Sequence, residues 1–235
     1  MQHLIRFSFV IGIAISVFVG NGCEKRHPPV TAKPFQSQEL DASLAILIDV
    51  SGSFADSWDQ KAYPLFISLM DQYFTAGMGE QSRVVIGQIS GSEEVVLFDG
   101  SPNDLLRKFK SPAALAEFLR DHSDPFRSRV YHSTQNVVDY MRQMSGITDQ
   151  TRIMTVVLSD MKDSEQDVQK FKELGRSMLA SLSTYREQGG TMALYCVDPG
   201  EVERWELIFE QAGFETGDYL IETRIVENPQ LPRYE

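Results

Sequence analysis

Residues Leu44 to Phe54, Leu-Ala-Ile-Leu-Ile-Asp-Val-Ser-Gly-Ser-Phe, constrain this chain more than any other stretch. The opening apolar run is too short to span a bilayer and suits a buried strand. It stops at Asp49, and Ser51 and Ser53 follow with Gly52 between them. One carboxylate and two hydroxyls therefore leave the end of a core strand. In open α/β sheets, ligands bind in the loops past the carboxyl ends of the strands. Oxygen-only side chains at such a place suit a hard cation such as Mg²⁺. The same residues also make an ordinary turn, in which Asp49 or Ser53 caps the next helix. The stretch alone leaves both readings open.

Beyond it, strand and helix patterns alternate. Trp58 to Phe74 has helical apolar spacing (Leu65, Phe66, Leu69, Met70, Tyr73), with Pro64 confined to the first turn and the regular helix starting near Lys61. Arg83 to Ser90 and Glu94 to Phe98 read as strands, and the short Gly91-Ser92 turn makes them an antiparallel hairpin. Ser101-Pro102 and Ser111-Pro112 start two short helices. Asp121 to Ser133 is polar and irregular, and Thr134 opens a helix bearing Val137, Val138, Tyr140 and Met141. Arg152 to Leu158 is a strand that ends on Ser159-Asp160, and a long helix from Val168 to Tyr185 is stopped by Gly189-Gly190. Thr191 to Val197 is a strand, Glu201 to Ala212 a helix, and Tyr219 to Ile221 a last short strand. This order predicts an α/β fold: a doubly wound, mostly parallel sheet with one antiparallel edge strand and helices on both faces.

The 235 residues allow one sizeable domain with short appendages. Arg6, the apolar run Phe7 to Val19, and small residues before Cys23 read as a secretory signal. Gly20-Asn21-Gly22-Cys23 resembles the lipobox of bacterial lipoproteins, with Gly20 where that pattern prefers Leu. The resemblance implies lipidation of Cys23 and attachment to a membrane through lipid, facing the periplasm or exterior of a bacterial envelope. Residues 1–22 are then the signal, 23–42 a Pro-containing tether, 43–222 the folded domain and 223–235 an irregular tail with Pro229 and Pro232. A net charge of -11 disfavours nucleic acid as a partner. Two cysteines are too few for a disulfide framework, and Cys196, in an apolar run, reads as a buried small hydrophobe.

Three predicted loops stand at the same end of this sheet. They carry Asp49, Ser51 and Ser53; Thr134; and Asp160. Five oxygen side chains, completed by water, satisfy an octahedral hard cation. Asp-x-Ser-x-Ser after an apolar strand, a lone Thr at a helix start and a Ser-Asp after a later strand resemble the von Willebrand factor type A domain and its metal-ion-dependent adhesion site. The resemblance covers residues 43–222. It implies that Ser51, Ser53 and Thr134 ligate Mg²⁺ or Mn²⁺ through hydroxyls and that Asp49 and Asp160 act directly or through water. One position stays open for a carboxylate on a protein partner. The chain departs from the family in having Ser133 before Thr134, where Gly is frequent, and Met161 after Asp160, again where Gly is frequent.

Asp163 either supports Asp160 from behind or starts the following helix. His122 and His132 are too few for a zinc site and read as loop or partner-facing residues. Trp58 either packs its helix or rims the metal loop. The leading functional expectation is a non-enzymatic binding module. A phosphotransferase of haloacid-dehalogenase type needs a second acid where Ser51 stands, and neither a Gly-x-Ser-x-Gly elbow nor a Gly-rich phosphate loop is present. A scaffold with the fold but no working metal is the third reading.

Overall fold

The structure is a computed structural model that describes residues 38–51, 63–75, 81–90, 93–124 and 126–224. The Cys23, Ser53 and Trp58 readings lie outside those residues.

β1 (Ala42–Ile48) is buried at every position. It pairs in parallel with β2 (Ser82–Gln88) on one side and β4 (Arg152–Leu158) on the other. β5 (Thr191–Tyr195) and β6 (Tyr219–Glu222) extend the parallel run, and β3 (Val96–Gly100) pairs antiparallel with β2 at the edge. The strand order is β3-β2-β1-β4-β5-β6. A strand covered on both faces must be apolar at both parities, which is why β1 reads as an uninterrupted apolar run.

Six helices lie among the described residues: α1 (Tyr63–Thr75), α2 (Pro102–Lys108), α3 (Pro112–Asp121), α4 (Val130–Gln143), α5 (Val168–Glu187) and α6 (Val202–Gln211). The period-two alternation of β1 divides them. Leu44, Ile46 and Ile48 pack with Leu65, Phe66 and Leu69 of α1 and with Leu105, Leu115 and Leu119 of α2 and α3. Ala45 and Leu47 pack on the other face with Val137 and Met141 of α4, Met178 and Leu182 of α5, and Trp205 and Phe209 of α6. Among the described residues, no helix is long and apolar enough to cross a membrane.

Local sequence explains the starts of α2 and α3. Ser101 forms a capping box with Asp104, Ser111 caps α3, and Pro102 and Pro112 occupy the tolerant first turn. α4 differs from expectation. It begins at Val130, so Thr134 lies one turn inside it and does not open it. Arg129 stands at its cap position and makes no side-chain cap bond. The cap comes from elsewhere in the chain: Asp163 Oδ2 accepts the backbone N–H of Tyr131 at 3.0 Å. A helix capped from a distant loop carries no start signal in its own sequence. His132 is consequently a helical residue, while His122 is the C-cap of α3, with its ring against Phe118 at 4.3 Å.

At the other end of β1, the Leu40 N–H donates to Gly146 O and the Asp41 N–H to Gln81 O. The bonded body therefore starts ahead of Ser43. Cys196 is half-buried and lies outside β5, because the backbone leaves the strand there with a φ of +69°.

After α5 the chain turns through Gly189, at φ +81°, and Gly190. A Cβ at Gly190 would meet the Tyr185 ring at 2.4 Å. That ring is fully buried, and its hydroxyl lies 3.0 Å from Thr155 Oγ1 in β4. Gly190→Ala is expected to destabilise the domain by about 1–3 kcal/mol, read as a lower urea midpoint at unchanged slope.

Candidate metal centre

The connections from β1 and β4 run to opposite sides of the sheet, so the strand order reverses between these neighbours. That switch point is where open α/β sheets form a crevice. Asp49 leaves β1 and Ser159-Asp160 leave β4 at this end. Two bonds carry the ladder one residue further: Asp49 N–H to Leu158 O at 2.9 Å and Ser159 N–H to Tyr195 O at 3.2 Å.

Asp49 is the centre of the cluster and is 1% exposed. Its Oδ1 accepts from the Ser51 N–H at 3.0 Å and from Ser51 Oγ at 2.5 Å. Its Oδ2 accepts from Ser159 Oγ at 2.8 Å and Ser128 Oγ at 3.1 Å. Every one of these donors is neutral, and no cationic side chain pairs with Asp49 among the described residues. Burial pushes the Asp49 carboxyl above its usual range; the bonds from Ser51 and Ser159 pull against that, and the nearby Asp160 adds to it. A buried carboxylate without a countercharge is an expensive arrangement.

Lys162 is the cation closest in sequence to Asp160, but its Nζ is engaged with Asp198 Oδ2 at 2.5 Å. Asp160 is half-buried and accepts the Lys162 N–H at 3.0 Å. The loop beyond it keeps a left-handed residue without glycine: Met161 has a φ of +63°. Its N–H donates to Ser159 Oγ, and its side chain is buried against the second face of the sheet. Such a backbone costs on the order of 1–3 kcal/mol for a non-glycine residue, and the buried thioether offsets it.

Thr134 is fully buried, and its Oγ1 has no hydrogen-bond partner among the described residues. Buried hydroxyls are ordinarily bonded, so an orphan of this kind calls for an explanation. The helix that carries it is firmly held. Tyr131 stacks on Phe171 of α5 at 4.8 Å and meets Trp205 of α6 edge-on at 5.8 Å. Ser128, just ahead of α4, is clamped to Ser164: the Ser128 N–H donates to Ser164 Oγ at 3.1 Å, and that hydroxyl donates to Ser128 O at 2.8 Å.

Of the residues expected from sequence, Asp49 and Ser51 are in direct contact, and Asp160 lies close enough to raise the Asp49 carboxyl. Thr134 makes no hydrogen bond to them. Asp163 is bonded to α4 rather than to Asp160, and it does not start α5, whose cap is Asp167. It holds the start of the helix that carries Thr134. Ser128 and Ser159 join the cluster in addition to the expected residues. Ser159 belongs to the Ser-Asp motif, whereas Ser128 is identifiable only once the chain has folded. Among the described residues no three acid, His or Cys side chains cluster. The donor set is two carboxylates and several hydroxyls, all oxygen, which fits a hard divalent cation and not a soft one.

Neither a family model nor a curated protein sequence matches the chain. Solved structures do. The PilB minor pilin from Streptococcus sanguinis aligns with a TM-score of 0.54 at 8% identity, over 81% of this chain and 58% of that one. The pilus adhesin SpaC from Lactobacillus rhamnosus GG, in its open conformation, aligns at 0.51 and 9% identity, over 79% of this chain and 28% of the adhesin. Manganese-loaded TRAP from Plasmodium vivax aligns at 0.50 and 13% identity, over 79% of this chain and 68% of that one. What they share is the fold. In this chain it is a single mixed six-stranded sheet between helices, consistent with the type A-like architecture expected from sequence.

Two substitutions separate the charge of Asp49 from its bonds. Asp49→Asn keeps an oxygen for Ser51 and removes the buried charge, so the metal-free protein is expected to melt at or above the wild-type temperature. Asp49→Ala strands the donors of Ser51 and Ser128 and is expected to cost about 1–3 kcal/mol. Calorimetric melts in chelator read both.

Proposed function

We propose that this chain is a metal-dependent binding module of von Willebrand factor type A kind, held at a bacterial envelope by lipid on Cys23. Asp49, Ser51, Ser53, Thr134 and Asp160 hold Mg²⁺ or Mn²⁺. When bound, the cation supplies a positive centre with a free coordination position, which a carboxylate on a protein partner fills. The observation that carries this reading is that, among the described residues, a fully buried carboxylate has no countercharge and a fully buried threonine hydroxyl has no hydrogen-bond partner. A hard cation answers both needs at once. That one neighbour of similar fold was solved manganese-loaded, and others are a pilus adhesin and a minor pilin, supports the same reading.

The residues of the site have distinct tasks. Asp49 provides the charge, and Ser128 and Ser159 orient it. Asp163 and the Ser128–Ser164 clamp hold α4, so that Thr134 keeps its place. Hydrolytic or phosphotransfer chemistry is disfavoured, because the Ser51 hydroxyl donates to Asp49, where a phosphotransferase would need a free acid.

Thr134→Val removes the unpartnered hydroxyl while keeping the side-chain shape. In chelator it is expected to raise stability by about 1 kcal/mol. In Mn²⁺ it is expected to lose the melting-temperature increase that the wild type shows, since a ligand bound only by the folded state must stabilise it. If the wild type shows no increase with either metal, the metal-free scaffold reading replaces this one.

The response to metal also depends on pH. Because the Asp49 carboxyl titrates above its ordinary range, the folded chain binds that proton more readily than the unfolded chain. Its contribution to metal-free stability is therefore present at low pH and is lost as pH rises through the raised value. Metal displaces the same proton, so the Mn²⁺-induced rise in melting temperature is expected to be larger at about pH 7.5 than at about pH 5.

A further inference from the structure

Lys108, the last residue of α2, turns its charge toward aromatic rings. Its Nζ stands over three of them, 5.5 Å from the centroid of Phe98, 5.4 Å from that of Phe109 and 4.8 Å from that of Phe118. Each distance lies within the range at which a ring face attracts an ammonium. The chain has 33 Asp and Glu residues against 22 Lys and Arg, yet Lys108 makes no ion pair or hydrogen bond among the described residues. Asp104, one turn back, is taken by Arg107 at 2.9 Å and by the Ser101 hydroxyl at 2.6 Å. Ring faces therefore hold this charge where an acid ordinarily would.

The rings come from three elements and converge on one point. Phe98 lies in β3, Phe109 is the C-cap of α2, and Phe118 lies in α3. Phe98 and Phe109 meet edge-on at 6.2 Å, and Phe109 and Phe118 are inclined by 53° at 5.1 Å. The Phe98 ring lies over Gly100, where a Cβ would meet it at 2.8 Å. Phe98 belongs to the core beneath, and Phe109 and Phe118 pack against that core. Core packing thus sets the rings in place, whereas Lys108 is exposed and held by nothing else described. A lysine ammonium is a strongly hydrated point charge on a flexible stem, so it is a weak occupant of such a cage. A nitrogen bearing methyl groups has no N–H hydration to give up, and aromatic cages recognise quaternary ammonium groups for that reason.

We propose that Phe98, Phe109 and Phe118 form a binding site for a trimethylammonium group, and that Lys108 is a built-in occupant which swings out to admit it. The site shares no residue with the metal centre and does not depend on it. A net charge of -11 favours the approach of a cation to this chain. Because the ligand must displace the lysine, its apparent affinity is lowered by the fraction of molecules in which the cage is filled.

The test titrates choline into the full chain, in chelator and at constant total salt, and follows broadening of the choline methyl NMR resonance. Lys108→Ala empties the cage and is expected to bind choline about fivefold tighter than the wild type. Phe109→Leu and Phe118→Leu, each added to Lys108→Ala, keep apolar bulk without the ring face and are expected to weaken binding by about threefold or more. The uncharged alcohol in which carbon replaces the choline nitrogen is expected to bind at least about fivefold more weakly than choline. No binding to Lys108→Ala, an affinity equal to that of the wild type, unchanged affinity in the leucine variants, or equal binding of the uncharged alcohol would each overturn the proposal. Lys108 lies outside the core, so the comparison of Lys108→Ala with the wild type and the uncharged alcohol decides the matter even where a leucine variant fails to fold. Glycerophosphocholine, titrated in parallel, separates the sources. Tighter binding than choline supports the cage as a site for a lipid headgroup, and weaker binding supports it as a site for a free small cation.

Discussion

Everything at this end of the molecule depends on a buried negative charge that the protein holds in place with neutral donors. Asp49 sits at the carboxyl end of a strand packed on both faces, and four bonds from Ser51, Ser128 and Ser159 fix its orientation. Hydroxyls and one N–H can aim a carboxylate, but they cannot repay its desolvation as a full positive charge would. Lys162, the cation closest in sequence to Asp160, is directed to Asp198 instead. Among the described residues, the buried hydroxyl of Thr134 is a second polar group whose bonding is not met.

The fold positions this charge by topology rather than by local chemistry. β1 and β4 lie side by side although more than a hundred residues separate Ala42 from Arg152, and their loops must emerge together. The loop ahead of α4 is drawn in by Ser164 and Asp163, both from the segment after β4. One segment thereby contributes Ser159 to the carboxylate, Asp160 to its field and Asp163 to the helix bearing Thr134. Rigidity follows from this double attachment, and the aromatic contacts of Tyr131 with α5 and α6 reinforce it. A binding surface built on such a frame loses little conformational entropy when a partner docks.

The sheet was legible in the sequence because its central strands are apolar at both parities and several helices between them carry their own caps. Ser101 and Ser111 announced their helices through side chains three residues from the groups they bond. The hairpin followed from the shortness of its turn. What could not be read shares one cause, which is that the determinant lies far away in the chain. The start of α4 is set by Asp163, so Thr134 read as a first helical residue when it lies a turn further in. Ser128 looked like any loop serine until folding brought it to Asp49 across 79 positions. Met161 shows the converse: a residue type that disfavours a left-handed backbone adopts it because burial of its side chain compensates.

The most direct measurement of the central claim is anomalous diffraction from crystals soaked in Mn²⁺. The account predicts a single strong peak with oxygen atoms of Ser51 and Thr134 at about 2.0–2.3 Å, and with Asp49 reaching it directly or through water. A peak elsewhere, or none, with the Thr134 hydroxyl still unpartnered, would contradict it.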